Sequence, residues 1–232
     1  MPTDSVTART ERTISGRVTD VAPREGTAFV LAAATFFVGS AVLTRSGEPG
    51  ASTPLPWMLS HVFWMVATAF VAIGTVRLVR NHSASGTGTA GYVASGLAGL
   101  GVLHTLQWAT WVYVDVIVYR QGAHELLSAP LLHPFGTGHM LMFAVIIGSV
   151  ITALAWTLAS TESTHRAIAW LGGLIGVLTV VAGVASLVTF APVRAPTSLT
   201  AIVAQALSFA WVFVLGAALS RGRSTPERRR GA

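Results

Sequence analysis

The chain has no cysteine and no lysine among its 232 residues, and only 10% of them are charged. Without cysteine there can be no disulfide framework, zinc-thiolate knuckle, cysteine-held iron-sulfur cluster or thiol nucleophile. Without lysine there can be no Schiff base, which excludes retinal and with it a retinal light sensor. The scarcity of charge excludes more still. A soluble domain carries roughly a quarter charged residues, and here nine of the fifteen arginines lie in residues 1–26 and 221–232. What remains cannot give a core of this size a polar coat, so the lipid bilayer must supply its solvent. The net charge of +6 is then a matter of membrane orientation, and no nucleic-acid partner is expected.

What the chain has in abundance is apolar sequence, 52% of its residues. Runs long enough to cross a bilayer, which takes about 20 helical residues, fall at 28–44, 56–77, 92–118, 137–158, 167–189 and 197–219. Pro49, Pro54 and Pro56, the stretch Ser83 to Gly88, Pro130 and Pro134, and Pro192 and Pro196 mark the gaps between them. The expected fold is an all-α integral membrane protein, a bundle of six transmembrane helices with short loops. Residues 1–26 form a basic and disordered tail, 27–220 the transmembrane domain, and 221–232 an arginine-rich tail. With six spans, twelve arginines fall on the face that carries both termini and three, Arg45, Arg120 and Arg194, on the other. The positive-inside rule then places both termini in the cytoplasm of a plasma-membrane protein.

Small residues recur on the fifth span at Gly172, Gly176, Thr179, Gly183 and Ser186, and on the third at Ser95 and Gly99. Lipid gives helices no hydrophobic reason to associate, so such residues serve close backbone approach. Packing within one bundle is their expected use. Three motif matches carry no function. GTGTAG at 86–91 has the dinucleotide-binding spacing but no βαβ context. Asn81-His82-Ser83 matches a glycosylation acceptor on the wrong side of the membrane. His124-Glu125 begins a metalloprotease motif that Ser128 breaks.

Polar groups within the spans are the informative residues. On the third span Gly101, His104, Trp108, Trp111 and Asp115 fall near one helical stripe, with Gln107 beside it. Asp115 is the only acid inside any span as drawn. By the expected orientation His61 on the second span and His139 on the fourth lie at matching depth in the outer half, and His104 lies roughly 10–20 Å deeper. Gln205 and Ser208 on the sixth span add polar groups at intermediate depth. Ionisable groups in hydrocarbon are costly, at least ~2.5 kcal/mol at a helix centre when charged, and they turn inward.

Imidazole is the strong ligand left once thiolates are absent. Two uses follow. One is haem b held axially by His61 and His139, or alternatively by His61 and His104. The other is a transition-metal site on His61, His104 and His139, with His124, Glu125 and His133 of the outer loop as entry ligands or supporting groups. Either makes the chain a redox or electron-transfer membrane protein, or a subunit of a membrane complex that does this work. A route for a small solute or a proton, lined by the same stripe and Asp115, is the alternative. An accessory subunit without chemistry is the third reading. Trp57, Trp64 and Trp111 on the outer half read first as an interfacial belt and second as cofactor walls.

Overall fold

The computed structural model describes residues 24–44, 54–82, 88–120, 133–160, 166–189 and 196–222, and within these the side chains at 44, 54, 57, 82, 111–120 and 133–139 lie outside the description. The described residues form six helices: α1 (Glu25–Thr44), α2 (Pro54–His82), α3 (Gly88–Arg120), α4 (His133–Ser160), α5 (Arg166–Val188) and α6 (Pro196–Gly222). The expected six-helix architecture is therefore what the chain adopts. The two tails, the loop with His124 and Glu125, and His165 lie outside the described residues.

Proline sets several of the starts. Pro54 and Pro196 open α2 and α6, and Pro134 is the second residue of α4. There a missing N–H costs nothing, because the first-turn donors have no intrahelical acceptor. The helices run past the expected spans at most ends. The addition with the most chemistry is Glu25, in the first turn of α1, where a carboxylate suits the helix dipole. It is buried and accepts a hydrogen bond of 3.2 Å from Asn81 Nδ2. Asp115 is thus not the only acid within a helix, and the Asn81 amide ties the start of α1 to the end of α2.

Consecutive helices run antiparallel. His61 meets Trp108 while Thr68, further along α2, meets Thr105, further back on α3. The same reversal relates α1 to α6, where a Cβ on Gly26 would stand 2.5 Å from Ser220 Oγ and Phe36 stacks on Phe209. The end where α1 begins and α6 finishes is basal, and the other is distal. In cross-section α1, α2, α3, α4 and α6 close a ring, and α5 lies outside it in the groove between α4 and α6.

Five helices, all but α3, are long and apolar enough among the described residues to cross a membrane. The chain is a multi-pass helical membrane protein. α3 is the longest helix, but five glycines together with His104, Thr105, Gln107 and Thr110 dilute its apolar character. α5 presents Leu171, Leu174, Val177, Leu178 and Val181 outward as a lipid-facing surface.

The small-residue stripe on α5 is its buried face: Ala169, Gly172, Gly176, Thr179, Gly183 and Ser186. A Cβ on Gly176 would stand 2.7 Å from the carbonyl oxygen of Gly148 on α4, and one on Gly172 would fall inside the indole of Trp211 on α6. That indole donates to the Ile168 carbonyl at 2.8 Å, and Thr179 Oγ1 meets Ser208 Oγ at 3.1 Å. The stripe packs within the bundle as expected. On α3 the matching expectation fails. Gly99 has open space around its Cβ position, and the Ser95 hydroxyl donates to Gly91 O of its own helix.

Candidate functional site

The centre of the bundle is aromatic. Each of the five helices of the ring contributes one buried aromatic side chain to a central layer: Phe36, Trp64, Trp108, Phe143 and Phe209. Their ring centroids form a closed circuit. Phe36 and Trp64 are 6.1 Å apart, Trp64 and Trp108 5.3 Å, Trp108 and Phe143 6.4 Å, and Phe143 and Phe209 6.3 Å. Phe209 closes on Phe36 at 3.9 Å with the rings within 3° of parallel. The Trp64 indole donates to Ser40 Oγ at 3.3 Å, and the Ser40 hydroxyl in turn donates to Phe36 O at 2.9 Å. This finds a partner for an N–H that would be costly to bury alone.

Trp64 is therefore a core residue and no part of an interfacial belt. The described tryptophans that suit a belt are Trp156 and Trp170, both largely exposed near the basal ends of α4 and α5. The aromatic layer was not evident in advance because its members come from five separate helices. Of its five members, the sequence pattern singles out only Trp64 and Trp108.

His61 lies against this layer. It is 2% exposed, with its ring centroid 5.0 Å from that of Trp64 and 4.7 Å from that of Trp108, edge-on to the latter. Ser60 Oγ is 3.2 Å from its Nδ1. Two indoles and a hydroxyl fix the plane of the imidazole, the kind of support that orients a ligating histidine. One to two turns towards the base, Thr68 Oγ1 and Thr105 Oγ1 are 2.8 Å apart and bridge α2 to α3. Each hydroxyl also lies within 3.2 Å of carbonyls of its own helix.

The remaining candidates divide by position. Trp108 is buried, as expected, with Gly101 and Thr105 on the inner face of α3, whereas His104 is only half-buried. Gln107 is exposed on the lipid side and does not line the interior. Gln205 is 5% exposed on the inner face of α6, one turn from Phe209. Trp111 and Asp115 on α3, and His133 and His139 on α4, belong to helical stretches whose side chains lie outside the described residues. Among the described residues no group of three or more His, Asp and Glu side chains comes together.

The two haem pairings can be weighed on this geometry. Between His61 and His104 there is no slab for a porphyrin: the contact of Trp108 with His61 and the 2.8 Å Thr68–Thr105 bridge hold α2 directly on α3 at that level. α2 and α4 face one another across the ring with α3 between them, and among the described residues no hydrogen bond joins them. His61 is three residues distal of Trp64, and His139 is four residues distal of Phe143. Each therefore lies on the same stripe as a member of the aromatic layer and about one turn beyond it.

No family model, no curated protein and no solved structure matches the chain.

Proposed function

We propose that this chain is a membrane redox protein, or the membrane subunit of a redox complex, that holds haem b or a transition metal distal to the aromatic layer through His61 and His139. The observation that carries the reading is the setting of His61: a buried imidazole, clamped by Trp64 and Trp108 and oriented by Ser60. His139 is the second ligand by helix register, and Trp111 and Asp115 continue the Trp108 stripe towards the same distal end. His104 serves as a supporting group on the basal side of the layer. His124, Glu125 and His133 in and beside the distal loop are entry ligands. The bound group would supply one-electron exchange, and the chain's own residues position it and keep water from its basal side.

The same layer favours cofactor binding over transport. Five aromatic rings fill the cross-section through which an aqueous path would run. By the arginine asymmetry the basal end is cytoplasmic, and the chain belongs to the plasma membrane in this reading. Cysteines introduced at Ser52 and Ser128 then react with an impermeant reagent added outside, and one at Ser224 does not. The reverse pattern overturns the orientation.

The decisive test is an absorption spectrum of the purified protein, oxidised and reduced, with elemental analysis on the same sample. His61→Ala or His139→Ala abolishes cofactor retention, and His165→Ala does not. A folded preparation with neither a Soret band nor stoichiometric metal after reconstitution overturns the reading.

A further inference from the structure

Three large aromatic side chains that point out of the bundle lie at one depth. Tyr92 on α3, Trp156 on α4 and Trp170 on α5 are 70%, 70% and 72% exposed, and each stands four residues from the basal end of its helix. Amphipathic rings collect where hydrocarbon gives way to headgroups, so this level marks the basal boundary of the membrane. The helix ends then project into the headgroup layer, and their exposed charge is of one sign. Every arginine with a described side chain, Arg24, Arg77, Arg80, Arg166 and Arg221, lies within two turns of this end. The one acid with a described side chain, Glu25, is buried against Asn81.

Two of the three rings converge with one of these arginines. Between α4 and α5, a Cβ on Gly176 would meet Gly148 and Thr152, and one on Gly173 would meet Ala155 at 3.8 Å. That register puts Trp156 opposite Trp170, one turn basal of Thr152 and of Gly173. α6 covers one flank of this helix pair, through Trp211 at Gly172 and Ser208 at Thr179. By helix register both indoles lie on the other flank, where they are open to lipid. Arg166 is exposed and four residues from Trp170, on the same stripe and one turn nearer the headgroups.

We infer that the basal end of the groove between α4 and α5 binds an anionic phospholipid, with the Arg166 guanidinium on its phosphate and the Trp156 and Trp170 indoles on either side of its glycerol and upper acyl chains. The occupant is a lipid because the groove opens into the bilayer at the headgroup boundary. It is an anionic lipid by charge complementarity. A zwitterionic headgroup brings its own cation to the phosphate, whereas phosphatidylglycerol leaves that charge for the protein to meet. The planar fork of arginine suits two phosphate oxygens at once. The site is independent of the cofactor reading, which concerns the distal half of the bundle.

The test places the full chain in phosphatidylcholine nanodiscs that contain a small fixed fraction of one lipid brominated high on its acyl chains. That lipid is either phosphatidylglycerol or phosphatidylcholine, and the readout is quenching of tryptophan fluorescence. Wild type is quenched preferentially by the phosphatidylglycerol, by about fivefold, the weight of one arginine at an anionic surface. Arg166→Gln removes the preference and Arg166→Lys keeps most of it. Replacing Trp156 and Trp170 together by Phe removes the preferential quenching, which locates the signal in the groove. Arg80→Gln, an exposed arginine on α2, leaves the preference unchanged. Equal quenching of wild type by the two lipids, or an undiminished preference in Arg166→Gln, overturns the site. So does a preference that Arg80→Gln lowers as much as Arg166→Gln, because a diffuse attraction of the whole rim to anionic lipid behaves in that way.

Discussion

α6 has two inward faces, and they are packed by opposite means. Towards the bundle centre it presents Phe209, whose ring lies flat on Phe36 and within 6.3 Å of Phe143. Towards α5 it presents Trp211 to a glycine, so that the indole occupies the space a side chain at Gly172 would need. One contact is large against large with the rings touching. The other is large against nothing, with a hydrogen bond from the indole to Ile168 O closing it. Lipid does not drive helices together, so both contacts must be made by fit. The difference shows in where polar chemistry can sit. The α5 seam satisfies its own hydroxyls, as Thr179 does with Ser208 and with Ile175 O, and has no use for a ligand. The aromatic layer is apolar across its width, and polar residues collect one turn above it at His61 and Gln205.

The comparison breaks most decisively at the layer. Phe209→Ala opens a hole where the ring is fully buried between Phe36 and Phe143, and aromatic deletions of this kind cost about 3–5 kcal/mol. A fall in thermal unfolding temperature in detergent is the readout. A loss of cofactor binding greater than the loss of stability alone explains would place the layer in the floor of the site. A near-neutral Phe209→Ala would mean that the ring circuit is not what holds the five helices together.

On the other face the effect is smaller and its sign depends on which glycine is chosen. Gly172→Ala forces the Trp211 indole to move, and overpacking of this sort costs about 1–3 kcal/mol. Gly99→Ala meets open space and replaces a poor helix former, so it stabilises by up to about 1 kcal/mol. Equal effects at the two positions would erase the distinction between a glycine that packs and one that does not.

That pair also shows what the sequence could reveal. Both glycines sit in small-residue spacings, and only the one on α5 is packed. The spacing records that a backbone can come close, and not which neighbour arrives. Helix number and positions followed from hydropathy, proline and arginine, which are local signals. His61, Trp108 and Gln205 were legible as inward-facing because a polar or indole group in a span needs a partner. Gln107, one residue from Trp108, was placed wrongly by a similar argument, since adjoining a buried stripe does not decide which way a side chain at its margin turns. Phe36, Phe143 and Phe209 gave no signal at all: a phenylalanine in an apolar helix suits lipid and core equally, and only the closure of five helices puts them in one layer. Glu25 was missed because the tail was expected to continue through it.

The smallest effect tests the contact between α2 and α3 beside the layer. Thr68 and Thr105 share a 2.8 Å hydrogen bond, but each hydroxyl also has a carbonyl of its own helix within reach. Only one of the two protons can serve the bridge at a time. When either threonine becomes valine, the survivor still bonds to its own backbone and no buried group is stranded. The cost is therefore that of one interhelical bond in a membrane, about 0.6 kcal/mol. A double-mutant cycle of Thr68→Val and Thr105→Val, read by unfolding in mixed micelles, should return a coupling near that value. A coupling of several times that size would mean that the bridge, more than the Trp64–Trp108 contact next to it, fixes how α2 and α3 hold His61.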